Sequence, residues 1–218
     1  MAFLAARGDV AAVVTEDSDL VAYGVPRVFL KMDAKTGAGV EVAATALPRC
    51  RELNLSGFTP DQFLQMCVLS GCDYVQSLPG VGPRRAAALL RRFRTASAAV
   101  RHLRFEGVPV PRGYEAQVQD ALWTFAHQWV YDPTLRACVH RTPRADGPGS
   151  LPADRVEALL GPQPPCYTAA AIAEGRLCPI TRQPFPVRSK LHAAYALTCL
   201  IPSAPASDSR ARRPCRTG

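Results

Sequence analysis

The side chains with the clearest chemistry are acidic. Glu16, Asp17 and Asp19 crowd together directly after a short apolar, β-branched run at residues 10–14. A run of that kind forms a buried parallel strand, and the ligands of open α/β sheets sit outside the carboxyl ends of such strands. Carboxylates gathered there repel one another and resist desolvation until a cation neutralises them, and their hard oxygens suit Mg²⁺ or Mn²⁺. A second reading stays open, in which the same acids complement the dipole at a helix N-terminus. Asp73 is a further candidate ligand, in the turn formed by Ser70, Gly71, Cys72, Asp73 and Tyr74. A lone aspartate after a helix also serves as a turn former, so its chemistry depends on the chain folding back towards Asp17 and Asp19.

A second constellation lies at residues 78–85 (LPGVGPRR). Gly80 and Gly82, just ahead of a helix, leave backbone N–H groups free to face a phosphate, with the positive helix terminus behind them. Arg84 and Arg85 add formal charge where phosphates would lie. Such a cradle holds nucleic-acid backbone and reads no base sequence. The pattern fits a helix-hairpin-helix DNA-binding element; a plain corner between two helices on a basic face is the alternative. Other residues promise less. His102, His127, His140 and His192 are scattered without ligand spacing, and no Ser/His/Asp or Cys/His arrangement is visible. Trp123, Phe125 and Trp129 are expected in the core, not on a base-stacking platform. The Arg210, Arg212, Arg213 and Arg216 cluster reads equally as a nuclear-import or nucleic-acid patch and as a solvated basic tail.

Composition narrows the partner. The 218 residues suffice for one domain or one and a half, and 48% apolar content with 20% charged residues excludes a wholly disordered chain. Twenty-six basic against eighteen acidic residues leave a net charge of +8, which points to a polyanion. Only Lys31, Lys35 and Lys190 are lysines. The remaining cations are arginines, suited to bidentate phosphate contacts, although a skewed genomic base composition produces the same bias. Twenty prolines, denser in the C-terminal half, exclude an end-to-end helical bundle. The eight cysteines form no C-x-x-C pair or zinc spacing, so reduced structural thiols are expected. The apolar run at residues 2–6 is too short for a signal-peptide core, and no segment approaches the roughly 18 apolar residues of a membrane span. The expectation is a soluble intracellular protein.

The elements that would position these groups follow from periodicity. Residues 1–8 read as the last turns of a helix ended by Gly8, followed by the strand at 10–14 and a brief helical stretch at 20–23 that closes at Gly24. Residues 27–32 read as a second strand, and Gly37 and Gly39 mark a turn into a third extended piece around 40–42. From Thr59 the period becomes helical, with an N-cap, Pro60 at the first helical position and Gln62 as capping-box partner. Phe63, Met66 and Cys67 make one apolar stripe. A second amphipathic helix turns Ala86, Leu89, Leu90 and Phe93 inward, and another is expected from about 112 to 129. Beyond Asp132 the signals weaken. Residues 143–152 and 161–165 are loop-like around a short helix near 154–160, and the tail from 202 reads as disordered.

Residues 14–20 (VTEDSDL), 29–33 (FLKMD), 66–74 (MCVLSGCDY) and 78–82 (LPGVG) occur in an order and at a spacing that resemble the exonuclease 1 family. That family lies within the flap-endonuclease superfamily of structure-specific 5′ nucleases. The resemblance covers residues 1–135 and fades through about 185. It implies an α/β fold: the partial parallel sheet of a PIN-like nuclease core at 1–57, then a helical helix–two-turn–helix DNA-binding region at 58–135. An irregular extension at 136–201 and the tail at 202–218 complete the expected organisation. By the same resemblance Asp17, Asp19 and Asp73 bind the second of two divalent metals (Mg²⁺ or Mn²⁺) in phosphodiester hydrolysis. Gly80, Gly82, Arg84 and Arg85 hold duplex DNA, and Ser70, Ser77 and the Val81 carbonyl bind K⁺. The implied partner is duplex DNA with 5′ ends, nicks or flaps, together with repair proteins, for a monomeric enzyme of DNA repair and recombination in the nucleus. The family's first metal site uses carboxylates from a region preceding the counterpart of Met1, so the expectation is an incomplete catalytic domain with little or no hydrolysis alone. A duplex-binding module without chemistry is the rival reading.

Overall fold

The computed structural model describes residues 1–144 and 151–185. Two compact units divide the chain, Met1–Ala170 and Ala171–Gly218.

The first unit begins with helix α1 (Ala2–Arg7), ended by Gly8 in the left-handed region at φ 81°. Strand β1 (Val13–Val14) follows and is shorter than the apolar run that signals it; only Val13 is fully buried. Helix α2 (Asp19–Ala22) then leads into β2 (Arg27–Leu30) and β3 (Val40–Ala43). β1 pairs parallel with β2, Val13 opposite Val28, whereas β3 runs antiparallel to β2. The expected parallel sheet is therefore mixed at its far strand. The link from β2 to β3 is too short for a crossover, which needs about a dozen residues, so the chain returns directly. Asp33 shapes that turn by accepting from the Lys35 and Thr36 N–H groups and the Thr36 hydroxyl. Ala5, Val13, Val25 and Val28 form a small core on this sheet.

A 3₁₀ segment (Ala44–Arg49) leads to the helical part, α3 (Pro60–Ser70), α4 (Pro83–Phe93), α5 (Ala96–Phe105) and α6 (Tyr114–His127). The capping box forms as expected: Gln62 N–H donates to Thr59 Oγ1 at 3.1 Å, and Thr59 N–H to Gln62 Oε1 at 3.2 Å. The apolar stripe of α3 is rotated from the expected one. Met66, Val68 and Leu69 are fully buried, while Phe63 and Cys67 are half-buried. Gln65 is buried as well, because its amide spans a donor and an acceptor: it donates to Asp61 and accepts from Ala96 N–H, which starts α5. Ala86, Leu89 and Leu90 of α4 face inward as read, with Phe93 half-buried at the margin. Helix α5, capped by Thr95 and burying Ala96, Ala99, Val100 and Leu103, had no counterpart in the sequence reading.

The helix expected over 112–129 ends at His127, and a hairpin of β4 (Trp129–Asp132) and β5 (Ala137–His140) takes over. Cross-strand packing decides this: Trp129 stacks on His140 at 4.0 Å and donates to Gly161 O. Arg7 reaches across from α1 to Asp132 at 2.8 Å. Helix α7 (Ala153–Leu160) matches expectation, while α8 (Cys166–Ala173) lies in a stretch read as irregular. Within the second unit, the Leu177–Pro184 bridge closes a loop in which Cys178 N–H donates to Gln183 O. Residues 145–150 of the loop expected at 143–152, the tail from 202 with its Arg210–Arg216 cluster, His192, Cys199 and Cys215 fall outside the described residues. The six described cysteines are unpaired. Among the described residues no helix is long and apolar enough to cross a membrane.

Candidate metal centre and phosphate cradle

The acids sit where the strand releases the chain. Thr15 N–H still donates to Phe29 O, continuing the β1–β2 ladder, and the backbone then turns into α2. Asp17 N–H donates to Thr15 Oγ1 at 3.0 Å, and Asp19 N–H to Asp17 Oδ1 at 2.9 Å. One oxygen of Asp17 therefore shapes the helix entrance, as the helix-terminus reading anticipates. Glu16 and Asp17 are exposed; Asp19 is half-buried. Burial raises the Asp19 carboxyl above the usual aspartate value, and the charges of Asp17 and of Asp73 raise it further. Asp73 follows a tight turn in which Cys72 and Val75 bridge each other's backbone. Residues 17, 19 and 73 thus share one electrostatic environment.

An aromatic cluster flanks two of them. Tyr23, one turn beyond Asp19, packs on Phe125 of α6 with centroids 4.8 Å apart, and Tyr74 meets the same ring edge-on at 5.3 Å. Phe125 is 1% exposed. Burial first, and then its interaction with Tyr74, push the Tyr23 phenol upward. Arg141, just past β5, fastens the other side by donating to Tyr23 O at 2.7 Å and lying 5.4 Å from its ring. Cys67 of α3 completes the wall; burial first, then Asp19 and Cys72, push its thiol up to about 12. Tyr23, Tyr74, Phe125 and Arg141 were missed as site residues. The available signal was the i, i+4 spacing of Asp19 and Tyr23, which places both on one helix face.

A divalent cation fits the chemistry of this donor set, which offers hard carboxylate oxygens whose mutual repulsion a cation relieves. The carboxylates are not drawn into a finished cage. Among the described residues no three His, Cys, Asp or Glu side chains are grouped closely enough to hold a metal ion.

The glycine hairpin joins α3 to α4 through two successive turns, Cys72–Val75 and Leu78–Val81, the second closed by Val81 N–H donating to Leu78 O at 2.9 Å. Val75, Leu78 and Val81 are buried, which turns Gly80 outward. Gly80 needs its glycine, with φ at 71°. Gly82 does not: it caps α4 at φ −99°, and a Cβ there would meet no atom within 4 Å. The bare backbone at 82 therefore answers to nothing inside the protein. Arg84 is exposed, whereas Arg85 folds back over Gly80 and pairs with Glu106 at 2.9 Å. Ser77 packs against Gly71, and the Ser70 hydroxyl donates to Met66 O at 2.8 Å. Ser70, Ser77 and Val81 all flank this double turn.

Residues 1–73 match the family model described as the XPG I-region. The chain is 46% identical to the rice (Oryza sativa subsp. japonica) protein named exonuclease 1 over 187 residues, 85% of this chain and 21% of that one. It is also 46% identical to exonuclease 1 of Arabidopsis thaliana over 189 residues, 87% of this chain and 25% of that one. Over these stretches the chain is similar to exonuclease 1 proteins and to the XPG I-region family. Among solved structures, the catalytic core of Rad2 aligns over 78% of this chain and 62% of its own at 18% identity, with a TM-score of 0.46. The chain spans between a fifth and a quarter of the length of these plant relatives. The matched I-region contains β1, α2 and all three candidate acids.

Proposed function

We propose that this chain is part of a metal-dependent 5′→3′ exonuclease and flap endonuclease acting on duplex DNA in repair and recombination, with a nuclear location following from that role. The observation that carries it is the common environment of Asp17, Asp19 and Asp73, in which both neighbours raise the Asp19 carboxyl. Asp17 and Asp73, from two distant stretches of chain, both act on the Asp19 carboxyl, a repulsion that a cation would relieve. Asp17, Asp19 and Asp73 would hold Mg²⁺ or Mn²⁺. Such an ion supplies Lewis-acid stabilisation of charge on phosphate and leaving oxygen. Exposed Asp73 and half-buried Asp19 keep the site open on one side, as an extended polyanion requires. The backbone at Gly80 and Gly82, with Arg84, would hold phosphates along the duplex.

The rival, a duplex-binding module without chemistry, is favoured by the open arrangement of the carboxylates. Calorimetric titration of Mn²⁺ into the full chain separates the two. The nuclease reading expects saturable binding that Asp73→Asn weakens by about tenfold or more, of the order seen when groups supporting a metal site are lost. Duplex binding with no Mn²⁺ binding would leave the module reading standing instead.

A further inference from the structure

Arg85 does not wait free at the cradle. Its Nη2 donates to Glu106 Oε2 at 2.9 Å, and its Nη1 lies against the bare backbone of Gly80, 3.4 Å from where a Cβ would stand. Glu106 is held in turn. Its other oxygen, Oε1, lies 3.0 Å from His102 Nε2, one helical turn earlier, and the His102 ring packs on Phe93 at 4.4 Å. The two ends of α4, Arg85 and Phe93, are thus tied to the last turn of α5 through His102 and Glu106. The position of Glu106 is unfavourable for helix stability, because it is the C-cap of α5, where the dipole favours a cation. Arg85 holds the Glu106 carboxyl below the usual range.

We propose that Glu106 is an internal stand-in for a DNA phosphate. It occupies Arg85 at the mouth of the glycine hairpin while the protein is free and yields it when duplex backbone arrives. The inference rests on the DNA-binding reading of the hairpin. Each side chain of the pair is 40% exposed, so the tie is of the weak surface kind and breaks at little cost. The exchange leaves counterions balanced: the phosphate gives up a cation to Arg85, and the abandoned Glu106 takes one up. Arg85 therefore adds nothing to the salt dependence of binding while Glu106 is ionised. Glu106 instead lowers affinity for every duplex alike and disfavours weak, single-phosphate encounters at the cradle.

The test is fluorescence-anisotropy titration of a blunt 20-bp duplex into the full chain across a salt series, for wild type, Glu106→Gln, Arg85→Ala and the double variant. Glu106→Gln should bind about two- to fivefold more tightly, the reach of an exposed pair. Its log–log salt slope should steepen by about 0.9, one added phosphate contact. Arg85→Ala should leave the wild-type slope unchanged and remove the added increment from Glu106→Gln. Thermal melts of all four confirm folding, and Glu106→Ala repeats the measurement if the glutamine variant is unfolded. Salt-dependent wild-type binding with an unaltered slope and affinity in both Glu106 variants overturns this inference alone. Absence of salt-dependent binding by the wild type overturns the DNA reading and this inference with it.

Discussion

Phe125 is the side chain on which the candidate metal centre leans without being part of it. Its ring is buried at 1% exposure and contacts both Tyr23, beside Asp19, and Tyr74, beside Asp73. Phe125→Leu keeps most of the volume, a change that costs under about 1.5 kcal/mol in a core. It also removes two ring pairs, each worth about 0.5–1.5 kcal/mol beyond buried area. The sum is about 2 kcal/mol, which for a unit of this size lowers the melting temperature by roughly 4–8 °C. Urea denaturation followed by tryptophan fluorescence measures the loss. The second readout is positional: NMR titration of the Asp19 carboxyl in metal-free buffer. With the tyrosines loosened, the share of the upward shift due to Asp73 should shrink and Asp19 should titrate closer to an ordinary aspartate. A stability loss below about 0.5 kcal/mol would refute the packing argument. A full loss with unchanged Asp19 titration would show that the aromatic cluster does not position the acids.

Three further outcomes are expected. Gly80→Ala should destabilise the fold by about 1–2 kcal/mol through its left-handed backbone, whereas Gly82→Thr, which adds a capping side chain in open space, should leave stability unchanged yet weaken duplex binding. Equal duplex affinity of folded Gly82→Thr and wild type would count against close phosphate approach at that position. Because the folded Asp19 carboxyl is raised, its ionisation opposes folding: its contribution is most favourable below the ordinary aspartate value of 3.8 and is lost as pH rises through the folded value. Asp19→Asn should therefore melt higher than wild type at pH 7 without metal, an advantage that vanishes in acid; equal melting at pH 7 refutes it. Mass-spectrometric mapping after brief alkylation at pH 8 should find Cys166, which is exposed, and Cys178, whose thiol is lowered by hydrogen bonds from Thr181 and Ile180, labelled well before Cys67. Early labelling of Cys67 would mean that the wall beside Asp19 opens in solution.

The elements with strong local signals were legible from the chain. Gly8, the Thr59 capping box and the alternation of apolar and arginine positions in α4 each act within a few residues, so sequence reading reached them. The hairpin β4–β5 and helix α5 were not legible. Residues 112–129 read as one helix because nothing local forbids continuing past His127. The chain leaves the helix because Trp129 finds His140 across a hairpin that sequence spacing does not announce. The buried Gln65 escaped for the same reason: its partner, the N–H of Ala96, lies far along the chain.

At the site, residue type and short spacing alone determined that acids follow β1, that two glycines precede α4, and that arginines surround them. Those are properties of neighbours in the chain. Only the tertiary structure decided that Asp73 comes within electrostatic reach of Asp19, and that Tyr23 and Tyr74, beside those two acids, share one ring on α6. It also decided that Arg85 is engaged by Glu106, and that the glycine needed by the backbone is Gly80, not Gly82. Such facts depend on packing between helices distant in sequence. Packing is set by how whole apolar faces fit together, and no window of a few residues contains that information.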